Sequence, residues 1–147
     1  MKVIVQRVLD TTLYVDKKEY SHIDKGLLVY VGFNTEDTVT PIPWMVNKVS
    51  GLRIFEDENL KMNLSLKDVS GKMMIVSNFT LYADCSHGFR PAFVNAMGGD
   101  SAVKLYDEFV KQMKVVLGED NVVTGVFGGD MHVDSICDGP INIIIEK

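Results

Sequence analysis

The chain has 147 residues, 46% of them hydrophobic, which suffices for a core of ordinary size and fits a single domain over residues 1–147. Fifteen basic residues against twenty acidic ones leave a net charge of -5, which argues against a broad basic face gripping nucleic acid through many phosphates. The opening MKVIVQRV carries no apolar signal region, and charges or glycine interrupt every apolar run short of the roughly 20 residues of a spanning helix, so a cytoplasmic chain without membrane contact is expected.

Val3, Val5 and Val8, then Thr12 to Val15, predict two short strands parted by the turn-prone Asp10. After Gly26, the apolar run Leu27 to Phe33 predicts a strand buried on both faces, so the opening third reads as an antiparallel meander. Thr40 is a candidate N-cap, with Pro41 and Pro43 in the first turn of a helix whose Ile42, Met45, Val46, Val49 and Leu52 face the core. Residues 53–66 read as irregular, with a short strand around Leu52 to Phe55.

Met73 to Val76 resumes a strand that delivers Ser77-Asn78-Phe79-Thr80-Leu81 at its end. The glycine-bearing stretch Tyr82 to Asp100 predicts a long loop, and loops of that length are often functional. Ser101 is placed to cap a second helix with Ala102, Leu105, Tyr106, Phe109, Met113, Val116 and Leu117 inward and Gly118 as its stop. Three strands follow, at Asn121 to Phe127, Met131 to Cys137 and Ile141 to Ile145, the last two parted by Asp138-Gly139-Pro140. Strands outnumber helices and do not alternate with them, which predicts an α+β fold with a curled, mostly antiparallel sheet.

Cofactor and metal chemistry has little to build on. His22, His87 and His132 are scattered, and Cys85 and Cys137 lack paired spacing, so no zinc site is expected and both thiols read as reduced, Cys137 as a buried inert one. No glycine-rich phosphate loop is present, and no cofactor is expected. The Met residues are expected to fill the core, with Met131 beside the Phe127-Gly128-Gly129-Asp130 turn a candidate pocket residue. Two segments carry more chemistry. Ser77 to Leu81 sets hydroxyls, an amide side chain and backbone N–H groups at a strand end, and Gly139-Pro140 makes a rigid corner. A Thr80 hydroxyl is a weak nucleophile without a base, and none stands nearby in sequence. Backbone N–H groups around Asn78 and Phe79 offer the other route, stabilising an oxyanion as water attacks an activated ester.

These segments resemble the signature motifs of the D-aminoacyl-tRNA deacylases, which usually read SQFTL and NDGPVT where this chain reads SNFTL and CDGPIN. The likeness extends to Gln6-Arg7, Leu52-Arg53-Ile54-Phe55, Met62 to Leu66, Tyr82-Ala83-Asp84 and Phe127 to Met131. It implies a β-barrel-like body with helices packed outside, a homodimer, and hydrolysis of the ester joining a D-amino acid, or glycine, to the 3′ end of tRNA. In that family the Gly-Pro bond is cis and enters the neighbouring subunit's pocket, where its carbonyls read the chirality of the amino acid. Phe79, through its N–H, and Thr80, as a positioning hydroxyl, are therefore the candidate catalytic residues. Ser77, Asn78, Met131, Gly139 and Pro140 are the candidate substrate-binding residues.

Asn78, Cys137 and Asn142 depart from the family pattern, and Cys85 to Arg90 replaces a more basic stretch. A divergent paralogue that binds nucleic acid or protein without turnover is the alternative these departures raise.

Overall fold

The computed structural model describes residues 1–147. Strand β1 (Lys2–Val15) runs unbroken through Asp10, where two strands are expected from sequence. The reason is its partner: β8 (Met131–Glu146) lies antiparallel along all of it, from Lys2 opposite Glu146 to Val15 opposite Met131, and holds the Asp10 backbone extended. β8 is likewise one strand where two are predicted.

At the end of β1, Asp16 and Lys17 both adopt positive φ, the two-residue turn whose twist suits a hairpin. The chain returns as β2 (Lys18–Ile23), a strand the sequence reading lacks because Asp-Lys is a weak turn signal and the strand's face is polar. β2 pairs with Thr11 to Val15, and β3 (Gly26–Gly32) pairs with Lys2 to Val8, both antiparallel. The expected meander is therefore one long hairpin whose returning arm is broken at Asp24 and Lys25. β6 (Lys72–Ser77) joins β3 in parallel, and β7 (Val122–Thr124) joins β6 in parallel, so the sheet is mixed. β7 covers only Val122–Thr124, shorter than the expected strand to Phe127. A separate antiparallel pair, β4 (Phe55–Glu56) and β5 (Met62–Leu64), forms within the segment read as irregular.

The sheet curls until its edges nearly meet. The Ser21 hydroxyl on β2 donates to the Thr124 carbonyl on β7 at 3.0 Å, tying the two ends of the curl. Val8, Leu13, Ile23, Leu28, Met74 and Val76 fill the inside. The opposite face, with Val3, Val5, Val29, Val31, Met73 and Ile75, packs against both helices. Burying one such aliphatic or aromatic side chain is worth about 1.5–3 kcal/mol, which is what seats the helices.

Helix α1 (Ile42–Ser50) starts after Pro41, which occupies the N-cap position expected for Thr40 and offers no side-chain cap. Proline at the start needs no cap amide of its own. Leu52 falls beyond this helix. α2 (Gly99–Leu117) begins two residues before Ser101, capped at Gly98, and buries Ala102, Leu105, Tyr106, Phe109, Met113 and Leu117. Val116, expected inward, is 37% exposed because it flanks the buried stripe rather than lying in it.

Candidate active site

The residue that sets the site's floor is Gly32, the last of β3. A Cβ there would lie 2.6 Å from the Asn78 carbonyl oxygen, so only glycine lets the chain leaving β6 cross this close. Asn78 N–H donates to the Val31 carbonyl at 2.8 Å, extending the β3–β6 pairing by one residue. The chain then tightens into a 3-10 turn over Phe79–Tyr82. Asn78 caps it: its side-chain oxygen accepts from the Thr80 N–H at 3.1 Å and from the Thr80 hydroxyl. The Phe79 N–H, first in the turn, has no acceptor within it. Burial beneath this turn pushes the Tyr82 hydroxyl far above its ordinary range, so it stays neutral.

Beside this wall opens a cavity of about 510 Å³. β3 supplies Val31 and Gly32, followed by Phe33; the β6 end supplies Ser77, Asn78 and Phe79; Met97 to Gly99 and Ala102 come from the start of α2; Phe127 to Gly129 and Met131 close the far side. Phe93 stands over the rim, its ring 4.9 Å from that of Phe79. None of the sixteen lining residues ionises in the physiological range. General acid–base catalysis by a wall side chain is therefore unavailable, and what the wall offers is backbone N–H groups and apolar surface.

Of the residues expected from sequence, Ser77, Asn78, Phe79 and Met131 line this cavity. Thr80 does not; it is exposed, and its hydroxyl is spent on Asn78. Gly139 and Pro140 do not line it either. They project from the body in an excursion of β8: opposite Gln6 stands Asn142 and opposite Val8 stands Cys137, so the residues between leave the ladder as a bulge. The Gly139-Pro140 bond is cis, and Gly139 takes φ of +118°, a region L side chains rarely adopt. Cys137 and Asn142 thus sit at the base of the bulge, not its tip. Cys137 is exposed, against the expectation of a buried thiol, because the in–out alternation of β8 breaks where the strand leaves the ladder.

Arg7 anchors this bulge, a role the sequence reading missed. Its side chain is 6% exposed, donates from a terminal guanidinium nitrogen to the Ile54 carbonyl at 2.7 Å, and sets Nε 2.8 Å from an Asp138 carboxylate oxygen. That last contact is an ion pair whose angle falls outside good hydrogen-bond geometry. An arginine inside the alternating pattern of β1 was the available signal.

Asp10, His22 and Asp24 form one group with ligand atoms within 4.8 Å of each other, a cluster with the chemistry to hold a cation that sequence spacing did not reveal. It lies along the β1–β2 pairing, apart from the cavity, and the Asp10 hydrogen bond at 2.9 Å raises the His22 pKa above 6.5.

No helix is long and apolar enough to cross a membrane. Residues 4–146 match the family model described as D-Tyr-tRNA(Tyr) deacylase. The chain is 49% identical over its full length to a D-aminoacyl-tRNA deacylase of Clostridium perfringens, covering 97% of that protein, and 47% identical to that of Clostridium novyi with the same coverage. Among solved structures, one described as c-Myc DNA unwinding element binding protein superposes with a TM-score of 0.95 at 34% identity, over 100% of this chain and 99% of that one. A probable eukaryotic D-amino acid tRNA deacylase shares the fold, with a TM-score of 0.86 at 19% identity over 98% of this chain and 97% of its own. With the model spanning nearly every residue and relatives near half identity end to end, the chain belongs to the D-Tyr-tRNA(Tyr) deacylase family.

Proposed function

We infer that this protein hydrolyses the ester bond of D-aminoacyl-tRNA, releasing the D-amino acid and free tRNA. The observation that carries this reading, beside family membership, is a cavity without ionisable walls flanked by the unclaimed Phe79 N–H. An aminoacyl ester is already activated, so holding it in place and stabilising the oxyanion suffices where a peptide would need more. In this mechanism water, oriented by the terminal adenosine's 2′-hydroxyl, attacks the carbonyl carbon; the Phe79 N–H faces the developing oxyanion; and the bond to the ribose 3′-oxygen breaks as that oxygen takes up the proton the water releases. Thr80 keeps Asn78 in its capping position. Ser77, Asn78 and Met131 contact the aminoacyl group and the terminal nucleoside.

The chiral gate is the partner's cis Gly-Pro in a homodimer, whose main-chain carbonyls exclude an L side chain and ignore the identity of a D one. The absence of Gly139 and Pro140 from their own subunit's cavity supports this assignment, as does the exposed, Arg7-anchored bulge that carries them. Glycine, lacking a side chain to exclude, passes the same gate, so glycyl-tRNA is a second substrate. A cytoplasmic setting follows from the tRNA substrate.

Purified protein is expected to release D-Tyr from D-Tyr-tRNA and spare L-Tyr-tRNA. Equal rates on both would remove the gate, and release of neither would remove the enzyme. A divergent paralogue that binds nucleic acid or protein without turnover is the second reading, favoured by the 34% identical structure described as a DNA unwinding element binding protein and by Asn78, Cys137 and Asn142. The net charge of -5 weighs against its nucleic-acid form. Asn78→Gln with Cys137→Asn separates the two, since a large gain from almost no activity marks a decayed site.

A further inference from the structure

The segment after the 3-10 turn is a finger rooted in the cavity wall. Asp84 and Ala92 exchange both backbone hydrogen bonds, at 2.7 and 2.9 Å, and Asp84 also accepts from the Ser86 N–H at 2.9 Å, so the base of the finger is fixed. One residue further, Phe93 packs on Phe79 at the cavity rim. At the tip stands Phe89, whose side chain is completely exposed and touches nothing that shields it. A phenylalanine left in water forgoes the free energy of burial, so this position gains nothing from the fold. Its neighbour Arg90 is exposed and takes part in none of the ion pairs. An unpartnered aromatic face beside an unpaired guanidinium is what single-stranded nucleic acid requires: a platform for a base and a cation for the adjoining phosphate.

We propose that Phe89 stacks on an unpaired nucleotide preceding the terminal adenosine of the tRNA, with Arg90 contacting the phosphate beside it. This rests on the deacylase reading, because the finger matters only if the terminal aminoacyl-nucleoside occupies the adjacent cavity. One stacked base and one phosphate give a small local contact, compatible with a chain of net charge -5. The site discriminates unpaired 3′ nucleotides by their presence rather than by sequence, since every base offers a face.

The test uses two substrates, D-Tyr-tRNA and the aminoacyl-nucleoside 3′-O-(D-tyrosyl)adenosine, which lacks the preceding nucleotides. Phe89→Ala is expected to raise KM for the tRNA about tenfold with kcat unchanged, and to leave both constants for the nucleoside as they were. Phe89→Trp restores the wild-type KM, whereas Phe89→Leu, apolar but not aromatic, does not. Arg90→Ala makes the salt dependence of tRNA binding shallower by about one unit in log–log slope. Equal effects of Phe89→Ala on both substrates, no effect on either, or a changed oligomeric mass would overturn the proposal. Filter binding of uncharged tRNA separates it from the activity: weakened binding by Phe89→Ala in a protein without hydrolysis keeps the finger and removes the deacylase, and unchanged binding removes the finger.

Discussion

At the scale of single residues, Thr80 and Phe79 differ in whether their hydrogen-bonding groups are already engaged. The Thr80 hydroxyl is tied to Asn78, and no ionisable neighbour lines the cavity to activate it. Thr80→Ala is accordingly expected to lower kcat only by about threefold, where loss of a true nucleophile costs about a thousandfold or more. Single-turnover release of D-Tyr decides between the two. The same uncharged lining sets the pH dependence. With no wall group to titrate, an inflection of kcat/KM between about pH 6 and pH 9 belongs to the substrate's α-amino group, whose ordinary pKa is near 8. An N-acetylated D-aminoacyl-tRNA that still turns over is expected to show no such inflection; its persistence would place an ionising protein group in the mechanism. The candidate wall residues were legible because Ser77 to Thr80 form a contiguous motif at a strand end. Arg7 was not, because its importance comes from Asp138 and Ile54, far away in sequence and adjacent only after folding.

At the scale of elements, the site depends on how closely β3 and the turn after β6 approach. Gly32→Ala places a methyl 2.6 Å from the Asn78 oxygen and 3.1 Å from the Leu81 Cβ, so the turn must move. The expected result is a loss of about 1–3 kcal/mol in chemical denaturation, the usual range for overpacking. A displaced Phe79 amide then lowers kcat by about a hundredfold, as an ångström of misplacement can. Normal kcat in a destabilised Gly32→Ala variant would detach the turn from catalysis. Buried elements were the most readable ones: the run Leu27 to Phe33 and the stripe of α2 show their type through pattern alone. β2 escaped because its polar face carries no apolar period. Asp10 and the Gly-Pro corner looked like strand ends because local propensity takes no account of β1 and β8 bracing each other on both sides of the bulge.

At the scale of the whole molecule, Gly139 and Pro140 lie outside their own chain's cavity, and the proposed gate therefore needs a second copy. Pro140→Ala alone is expected to lose discrimination and hydrolyse L-Tyr-tRNA, and refolding it with an excess of Gly32→Ala subunits is expected to restore discrimination, because the intact pockets then take intact gates from their partners. Discrimination that stays lost would place the gate in its own subunit or remove it. Composition and motif sufficed to determine the class of fold, the uncharged residue types of the Ser77 to Leu81 segment and the family resemblance, since these reside in residue types and in short contiguous stretches. The tertiary structure alone decided that β6 and β7 join the sheet in parallel, that Arg7 holds the bulge, and that the Asn78 carboxamide shapes the turn. Those facts depend on groups brought together from distant parts of the chain, and a one-dimensional pattern carries no record of which distant groups will meet.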